Sequence, residues 1–476
     1  MIKSVLPLAL LGLCSAAPLL AAEKSKIEFQ NAQIFYEFGT IVKGVELALD
    51  TIDNMWNQRF GGTFGVQASK GDNLHLYLGA GSIFWHAIPA IANQSGTRVY
   101  YGDAVLTKAY AEYDFGGSDS PDLVAKLGFI PVKYSNSKNL GEYLFRTGTY
   151  PSFLVTGNGY TVVNTAEEKV LGTQWSQRLG DHFSHDLFFT SERSSYPLHD
   201  FSLTYLAKYQ TEFLKLSLGV QFDRLIPVTP SLTTPGEEKN TYFTYQGQTY
   251  TNNPEFYNYR ATAAGLKGNA AEEAKWKAQA DLIDSLRAVW EASPELKPKL
   301  EKYSFKGIKP LAMVSLDFKA LLDNDLFRGE EMLLYSEAVL MGWENRPVYY
   351  ENRMDRLAVM VGFNFPTFGL LDICNVEVER LSAKFVNGYR NAREGNLPLP
   401  DYNYDVLVGY DPEDWKGDDW KWSVFLGRKI VDGFQVQAQV ASDHLRGRRF
   451  TRVVSENSLL VDKDQWYYAV KLQANL

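Results

Sequence analysis

The sequence predicts an all-β fold, a transmembrane antiparallel up-and-down β-barrel of about 16 strands with a helical insertion in one long outer loop. Three observations support this prediction: segments in which apolar and polar residues alternate, connections that alternate between short and long, and a high aromatic content. Tyr, Phe and Trp make up 14% of the 476 residues. Mean hydropathy is nevertheless only −0.24, which is typical of a barrel whose lipid-facing and lumen-facing residues alternate.

Alternation with period two is clearest from Phe434 to Val440, where three glutamines separate four apolar residues. Successive side chains of a strand point to opposite faces, so such a segment has one apolar and one polar face. The same pattern recurs along the chain, with boundaries uncertain by about 2–4 residues. The predicted strands are 42–51, 61–69, 73–85, 100–115, 121–134, 169–178, 182–191, 200–209, 212–225, 309–320, 331–344, 356–366, 372–385, 420–429, 433–443 and 466–476.

The connections between these segments fall into two alternating classes. Short connections carry turn residues, as at Gly180-Asp181 and Asp432-Gly433. Bacterial barrels have short periplasmic turns, longer outer loops and an even number of strands. We therefore expect both termini in the periplasm and the long connections outside, at 86–99, 135–168, 226–308, 386–419 and 444–465.

The N-terminus reads as a secretory signal peptide over residues 1–22, with Lys3 before an apolar stretch and small residues at Ala21-Ala22. The mature chain, 23–476, would then keep Cys374 as its one cysteine. A single cysteine forms no intramolecular disulfide. A closed, hydrogen-bonded barrel supplies stability without one.

The insertion at 226–308 is too long for a plain loop. Residues 254–292 have apolar side chains at helical spacing and predict a helical, extracellular element. It is either a lid on the outer rim or a binding element for a polymer or partner protein.

The last segment has an apolar face that runs to the end of the chain. It consists of Trp466, Tyr468, Val470, Leu472 and Leu476, with Ala474 between the last two. A terminal strand of this kind resembles the C-terminal assembly signal of bacterial outer-membrane barrels, although those usually end in Phe or Trp.

Together, the signal, the alternating strands, the connection lengths and the terminal strand resemble the bacterial porin-like outer-membrane superfamily. The resemblance covers nearly the whole mature chain and rests on pattern, with no specific member indicated. It implies location in the outer membrane of a Gram-negative bacterium and contacts with lipid, lipopolysaccharide and the outer-membrane barrel assembly machinery. The resemblance also implies that the third outer loop, which is 135–168 in this sequence, folds inward. Glu142 and Arg146 in this loop are therefore candidates for a constriction.

Charged side chains at mid-depth are costly when they face lipid, by about 2–4 kcal/mol for Lys or Arg. Strand parity therefore places a set of polar side chains in a wet lumen, where the acidic ones would give a weak cation preference. The lumen-lining candidates are Lys108, Glu112, Asp114, Lys215, Gln221, Asp317, Lys319, Glu337, Glu377, Glu379, Gln435, Gln437 and Gln439. The alternative is that these groups pair with one another across a filled interior.

The function predicted is a porin or channel that passes small polar solutes through the outer membrane, without enzymatic activity. The alternative is a surface adhesion or assembly-scaffold barrel with a plugged lumen, whose loops 226–308 and 386–419 bind a polysaccharide or partner. The net charge of −8 argues against nucleic acid. No catalytic motif, metal site or cofactor is predicted.

Overall fold

The computed structural model describes residues 25–45, 51–88, 99–116, 122–146, 169–191, 201–226, 241–266, 268–303, 306–322, 327–343, 347–348, 352–381, 420–442 and 464–476. The predicted signal peptide and the predicted outer loop 386–419 lie outside these residues. So do most residues of the loop 444–465.

Nineteen strands are described, and sixteen of them form one closed antiparallel barrel, which confirms the predicted fold class. The barrel strands are β1 (Ser25–Val45), β2 (Thr51–Lys70), β3 (Leu74–Ile88), β4 (Val99–Phe115), β5 (Leu123–Pro131), β6 (Lys169–Leu179), β7 (Phe183–Ser191), β8 (Phe201–Gln210), β9 (Leu214–Ile226), β13 (Gly307–Asp317), β14 (Leu333–Leu340), β15 (Leu357–Asn364), β16 (Ile373–Leu381), β17 (Trp420–Val431), β18 (Phe434–Ser442) and β19 (Trp466–Asn475).

Closure occurs between the first and last strands. β1 pairs with β19, with Gln33 opposite Asn475, and the Leu476 amide donates to the Ala32 carbonyl at 2.7 Å. Each barrel strand pairs with its neighbours in sequence, and β9 pairs with β13. This closure leaves no free sheet edge, which is the condition for a β-sheet in hydrocarbon.

The first predicted strand, 42–51, is wrong. The structure has β1 over Ser25–Val45 and starts β2 at Thr51, so the predicted segment runs across a connection. β1 contains register shifts between Gln30 and Gln33 and between Ile41 and Lys43. An irregularity of this kind breaks the period of two that sequence inspection depends on.

The barrel has two different ends. One end, here called the turn end, carries the shorter connections 71–73, 116–122, 180–182, 211–213, 318–332, 365–372 and 432–433, together with Ser25 and Leu476. Most of the longer connections leave the other end, here called the loop end, which also carries the short connections 46–50 and 192–200. This arrangement agrees with the alternation of connection lengths in the sequence.

Two neighbouring turns at the turn end are joined by Glu331. Its carboxylate accepts hydrogen bonds from the Thr367 amide at 2.7 Å, from the Thr367 hydroxyl and from the Arg328 amide at 2.8 Å. Burial of the carboxyl group opposes ionisation, but these hydrogen bonds outweigh it and hold the pKa of Glu331 below its ordinary value of 4.5.

Lys319 does not lie on a strand, which corrects the prediction that it lines the lumen. β13 ends at Asp317, and residues Phe318–Leu322 form the short helix α4 in the turn that follows. Asp317 accepts a hydrogen bond from the Ala320 amide at 3.1 Å. Lys319 donates to the Gly329 carbonyl at 2.6 Å within the same turn.

The outer and inner faces of the wall differ in chemistry. Large apolar side chains point outward along the strands, for example Phe29 at 85%, Leu218 at 66% and Leu127 at 62% exposure. The inner face carries buried charged and polar side chains, including Glu37, Arg59 and others described below. A water-soluble protein of this size exposes much smaller continuous apolar surfaces.

The insertion between β9 and β13 contains a three-stranded sheet and two helices. The strands are β10 (Thr241–Tyr245), β11 (Gln248–Thr251) and β12 (Glu301–Lys302), and the helices are α2 (Pro254–Leu266) and α3 (Ala270–Ala292). α3 buries Ala280, Ile283, Leu286 and Trp290 on one face. Among the described residues, none of the helices combines the length and apolar character needed to cross a membrane.

Candidate channel constriction

The connection after β5 enters the barrel. Its described part, residues 132–146, is here called the inward segment, and it ends in the one-turn helix α1 (Tyr143–Arg146). It belongs to the third connection at the loop end, the one expected to fold inward. Leu140 and Leu144 are at most 1% exposed, so the segment is packed against the inner wall.

A glycine allows the close approach of the segment to the wall. Gly141 has a φ of 78°, and a Cβ there would lie 2.7 Å from the Met360 Cε and 3.0 Å from a Glu337 oxygen. Glu142 also has a positive φ of 57°. A non-glycine residue in this region costs about 1–3 kcal/mol and persists only where the surroundings hold it.

Three wall carboxylates hold the segment by its main chain. On β16, Glu377 accepts hydrogen bonds from the amide of residue 138, from that of residue 139 at 2.9 Å and from that of residue 140 at 2.7 Å. Glu379 accepts one from Gly141 at 3.1 Å. On β14, Glu337 accepts from Glu142 at 2.7 Å and from Tyr143 at 3.0 Å. Six consecutive amides therefore donate to ionisable side chains, and hydrogen bonds to charged groups are the stronger kind.

Two tyrosines extend this network. The Tyr134 hydroxyl donates to Glu337 at 2.8 Å and accepts from the Leu144 amide at 3.0 Å. Burial, together with the nearby Glu337 and Glu142 carboxylates, raises the pKa of Tyr134 well above its ordinary value. Tyr335 on β14 donates to Glu377 at 2.5 Å. Tyr134 is therefore a neutral hydrogen-bond donor at physiological pH.

Glu142 turns back on its own segment. Its carboxylate accepts from the Tyr134 amide at 3.2 Å and from the Ser135 amide at 3.4 Å, and it pairs with the Lys133 ammonium at 3.3 Å. At 3% exposure it is buried. The Glu142 carboxylate thus contacts residues of the segment itself, while its amide donates to Glu337 on the wall.

An apolar cluster fills the lumen between the segment and the wall formed by β5–β8 and β13–β15. Leu140 and Leu144 contribute about 1.5–3 kcal/mol each by burial. This buried cluster adds to the hydrogen bonds that hold the segment against the wall. The members are Ile130, Val132, Leu140, Tyr143, Leu144, Val170, Phe188, Leu206, Leu311, Tyr335, Val339, Met341, Ala358 and Met360.

The wall at the closure of the barrel carries a buried charged triad. Glu37 on β1 lies opposite both Arg59 on β2 and Lys471 on β19. Arg59 forms a two-point ion pair with Glu37, with Nε at 2.8 Å from the carboxylate. The Lys471 ammonium lies 5.1 Å from the centre of the Phe35 ring. The triad links the three strands that close the barrel.

The wall formed by β3–β5 carries ion pairs beside stacked tyrosine rings. Lys126 pairs with Glu112 at 2.8 Å, and His75 lies 3.6 Å from Asp114. The Lys108 ammonium lies 5.4 Å from the centre of the Tyr77 ring. Three of the predicted lumen residues, Lys108, Glu112 and Asp114, therefore share one wall and have partners there.

Several solved bacterial porins have a barrel similar to this one. OprB of Pseudomonas putida is 10% identical over 94% of each chain, with a TM-score of 0.46. A mutant porin of Rhodopseudomonas blastica is 9% identical over 95% of this chain and 100% of its own chain, with a TM-score of 0.38. OmpF of Salmonella typhi is 8% identical over 95% of this chain and 98% of its own chain, with a TM-score of 0.43. The barrel resembles bacterial porins. With scores below 0.5, these likenesses support no conclusion about function.

No protein-family model and no curated protein sequence matches the chain. Within the described ranges, no three His, Cys, Asp or Glu side chains are grouped as metal ligands.

The remaining predicted residues are dispersed along the inner face. Gln221 donates to the Thr204 hydroxyl at 3.1 Å, and Gln439 donates to Ser423 at 3.3 Å. Gln435 and Gln437 are half-buried on the same strand as Gln439. Lys215 is exposed inside the barrel. Arg146 closes α1 in the described backbone, and its side chain lies outside the described part of the structure.

Sequence inspection missed the triad and the two network tyrosines. Glu37 and Arg59 lie outside the predicted strands, so no parity could be assigned to them. Lys471 was on the polar face of the predicted last strand, so that signal was available. Tyr134 and Tyr335 looked like ordinary aromatic residues, because their hydroxyl contacts depend on long-range pairing.

Proposed function

We propose that this chain is an outer-membrane channel of a bacterium, which passes small polar solutes and catalyses no reaction. The observation that carries the proposal is the contrast between the two faces of a closed sheet. Apolar side chains cover the outer face, while charged and hydrogen-bonding groups are enclosed. This arrangement is stable when lipid surrounds the barrel and water enters it.

Conductance in planar bilayers tests the proposal. The purified, refolded chain should produce discrete current steps that scale with salt concentration. Insertion without steps would contradict an open channel. Failure to insert would contradict the membrane location as well.

A matched pair of arginine variants tests the orientation of the wall. Leu127 on β5 is 62% exposed on the outer face, and Gln174 on β6 lies opposite Lys126 on the inner face. Leu127→Arg should reduce the yield of folded barrel in lipid, because an arginine facing mid-membrane costs about 2–4 kcal/mol. Gln174→Arg should fold normally. Equal yields would contradict the orientation.

A weak cation preference was predicted from lumen carboxylates. In the structure, Glu337, Glu377 and Glu379 accept hydrogen bonds from the inward segment, and Glu112 is paired with Lys126. Groups that are buried and paired contribute little to the potential in the pore. We therefore expect a reversal potential near zero in a salt gradient, with only a small shift toward cations.

A plugged scaffold is the second candidate, and the anchored inward segment is the observation that favours it. Main-chain hydrogen bonds and an apolar cluster fix the segment across part of the lumen. The bilayer experiment separates the two candidates, because a plugged barrel inserts and gives no steps. Binding of a polysaccharide by the outer loops would belong to this second function.

The outward face of β19 supports a proposal about assembly. Val470 and Leu472 lie on this face, and Leu476 is 80% exposed beyond the last strand residue. We propose that the outer-membrane assembly machinery recognises these residues, with lipid and lipopolysaccharide as later partners. Leu476→Asp should lower the amount of folded barrel in cells but leave refolding in detergent unchanged.

A further inference from the structure

A polar cavity lies beside the inward segment in the half of the barrel nearer the turn end. Its volume is about 200 Å³, below the roughly 300–1,000 Å³ of sites for drug-sized ligands. It therefore has room for a small solute. The lining comes from the inward segment and from β8, β9 and β13–β15.

Two rows of directly opposed residues form the wall of this cavity. In the first row, Lys215 on β9 lies opposite Gln210 on β8 and Ser315 on β13. In the second row, Ser217 lies opposite Lys208. Side chains on opposed and diagonal positions of a sheet are within reach of one another. Ammonium and hydroxyl groups are thus brought together on one surface.

One lysine of the cavity lining has no carboxylate partner among the described residues. Lys208 is paired with Asp186, and Lys133 is paired with Glu142. The Glu337 carboxylate is engaged by the segment amides. Lys215 is exposed, and the part of the chain that the structure describes gives it no carboxylate partner. Lys215 is therefore the lysine of the lining that remains available to a ligand.

Hydroxyl groups line the same cavity as this ammonium group. Ser217 and Ser315 lie on the wall, and Ser135 lies on the inward segment, all within the cavity lining. Hydroxyls can donate to and accept from a ligand's own hydroxyl groups. An ammonium group provides charge-assisted hydrogen bonds to a carboxylate.

We propose that this cavity is a binding site for a small hydroxylated monocarboxylate, such as a sugar acid, with Lys215 as the carboxylate partner. The ammonium group of Lys215 sets the preference for a carboxylate. The serines bind its hydroxyls, and the volume limits its size. This inference rests on the proposed channel function, since it names the class of solute that the lumen holds.

Isothermal titration of the full chain in detergent micelles tests the site without requiring conduction. Sodium gluconate is the probe and glucose is its neutral counterpart. Gluconate should bind, glucose should bind at least tenfold more weakly, and Lys215→Gln should weaken gluconate binding about tenfold or more. Lys429→Gln is the matched control, because Lys429 is an exposed lysine at the turn end that pairs with Asp432 outside the cavity lining.

The outcomes separate the site from the channel. Absence of gluconate binding, or equal binding by wild type and Lys215→Gln, would overturn the site. Equal affinity for glucose and gluconate would overturn the assignment of a carboxylate ligand. Gluconate binding that depends on Lys215, in a chain that gives no steps in bilayers, would uphold the site while refuting the channel.

Discussion

Removing the charge of Glu377 should release the inward segment from the wall. One carboxylate oxygen accepts from the amide of residue 138 and from the Tyr335 hydroxyl, and the other accepts from the amides of residues 139 and 140. Glutamine keeps only one accepting oxygen, so in one orientation the segment loses the bond from residue 138, and in the other it loses the bonds from residues 139 and 140. At about 1.5–3 kcal/mol per hydrogen bond to a charged group, the segment loses about 1.5–6 kcal/mol of attachment.

A loss of this size shifts the equilibrium between the anchored and released segment by a factor of about 10–10⁴. Single-channel recording should therefore show larger steps or frequent transitions between conductance levels. The barrel itself should keep its heat-modifiable gel mobility, because the strand pairing of β16 is untouched. Glu337→Gln should behave similarly, since Glu337 also accepts from two segment amides.

Glu112→Gln is the matched control, because it also removes a lumen carboxylate but one that pairs with Lys126 on the wall. If Glu377→Gln and Glu112→Gln give the same conductance and the same current noise, the amide bonds do not hold the segment. The reasoning would then be refuted.

Three further predictions concern stability and packing. Glu37→Ala should lower the temperature at which the barrel unfolds in detergent more than Glu28→Ala does, because removing one partner of a buried ion pair costs about 3–5 kcal/mol of stability. Equal unfolding temperatures for the two variants would contradict this. Glu331→Gln should destabilise the barrel at pH 7, because a carboxyl group with a lowered pKa stabilises the fold where it is ionised. The difference in urea midpoint between wild type and variant should disappear as pH falls through the lowered pKa, and a difference independent of pH would contradict this. Gly362→Ala should displace the Tyr335 ring, which the new Cβ would overlap, at about 1–3 kcal/mol; an unchanged near-ultraviolet dichroism spectrum would speak against the displacement.

The barrel could be predicted from the sequence because period-two alternation is a local property. Residues 434–440 show it without interruption, and the structure has β18 there. Prediction failed where the period is broken, at the register shift near Gln30 and at the helical turn that contains Lys319. Local pattern carries no information about either feature.

The site was only partly predictable for a related reason. Parity placed Glu337, Glu377 and Glu379 on the inner face, and they lie there. It could not show that their partners are main-chain amides about 200–240 residues earlier in the chain, at separations of 195 for Glu337 and 238 for Glu379. Contacts of that range depend on the closed barrel, so the acids were expected to face water.

The wall recognises the inward segment through its main chain, and this separates attachment from lumen chemistry. Each peptide unit offers the same N–H whatever its side chain, so Lys138, whose ammonium group pairs with Glu330, can change in charge while the anchor is kept. Asn139 and Leu140 are fixed by burial, and Gly141 is fixed because a Cβ there would collide with the wall. Variation at position 138 therefore alters the charge beside the anchor without requiring the wall to change.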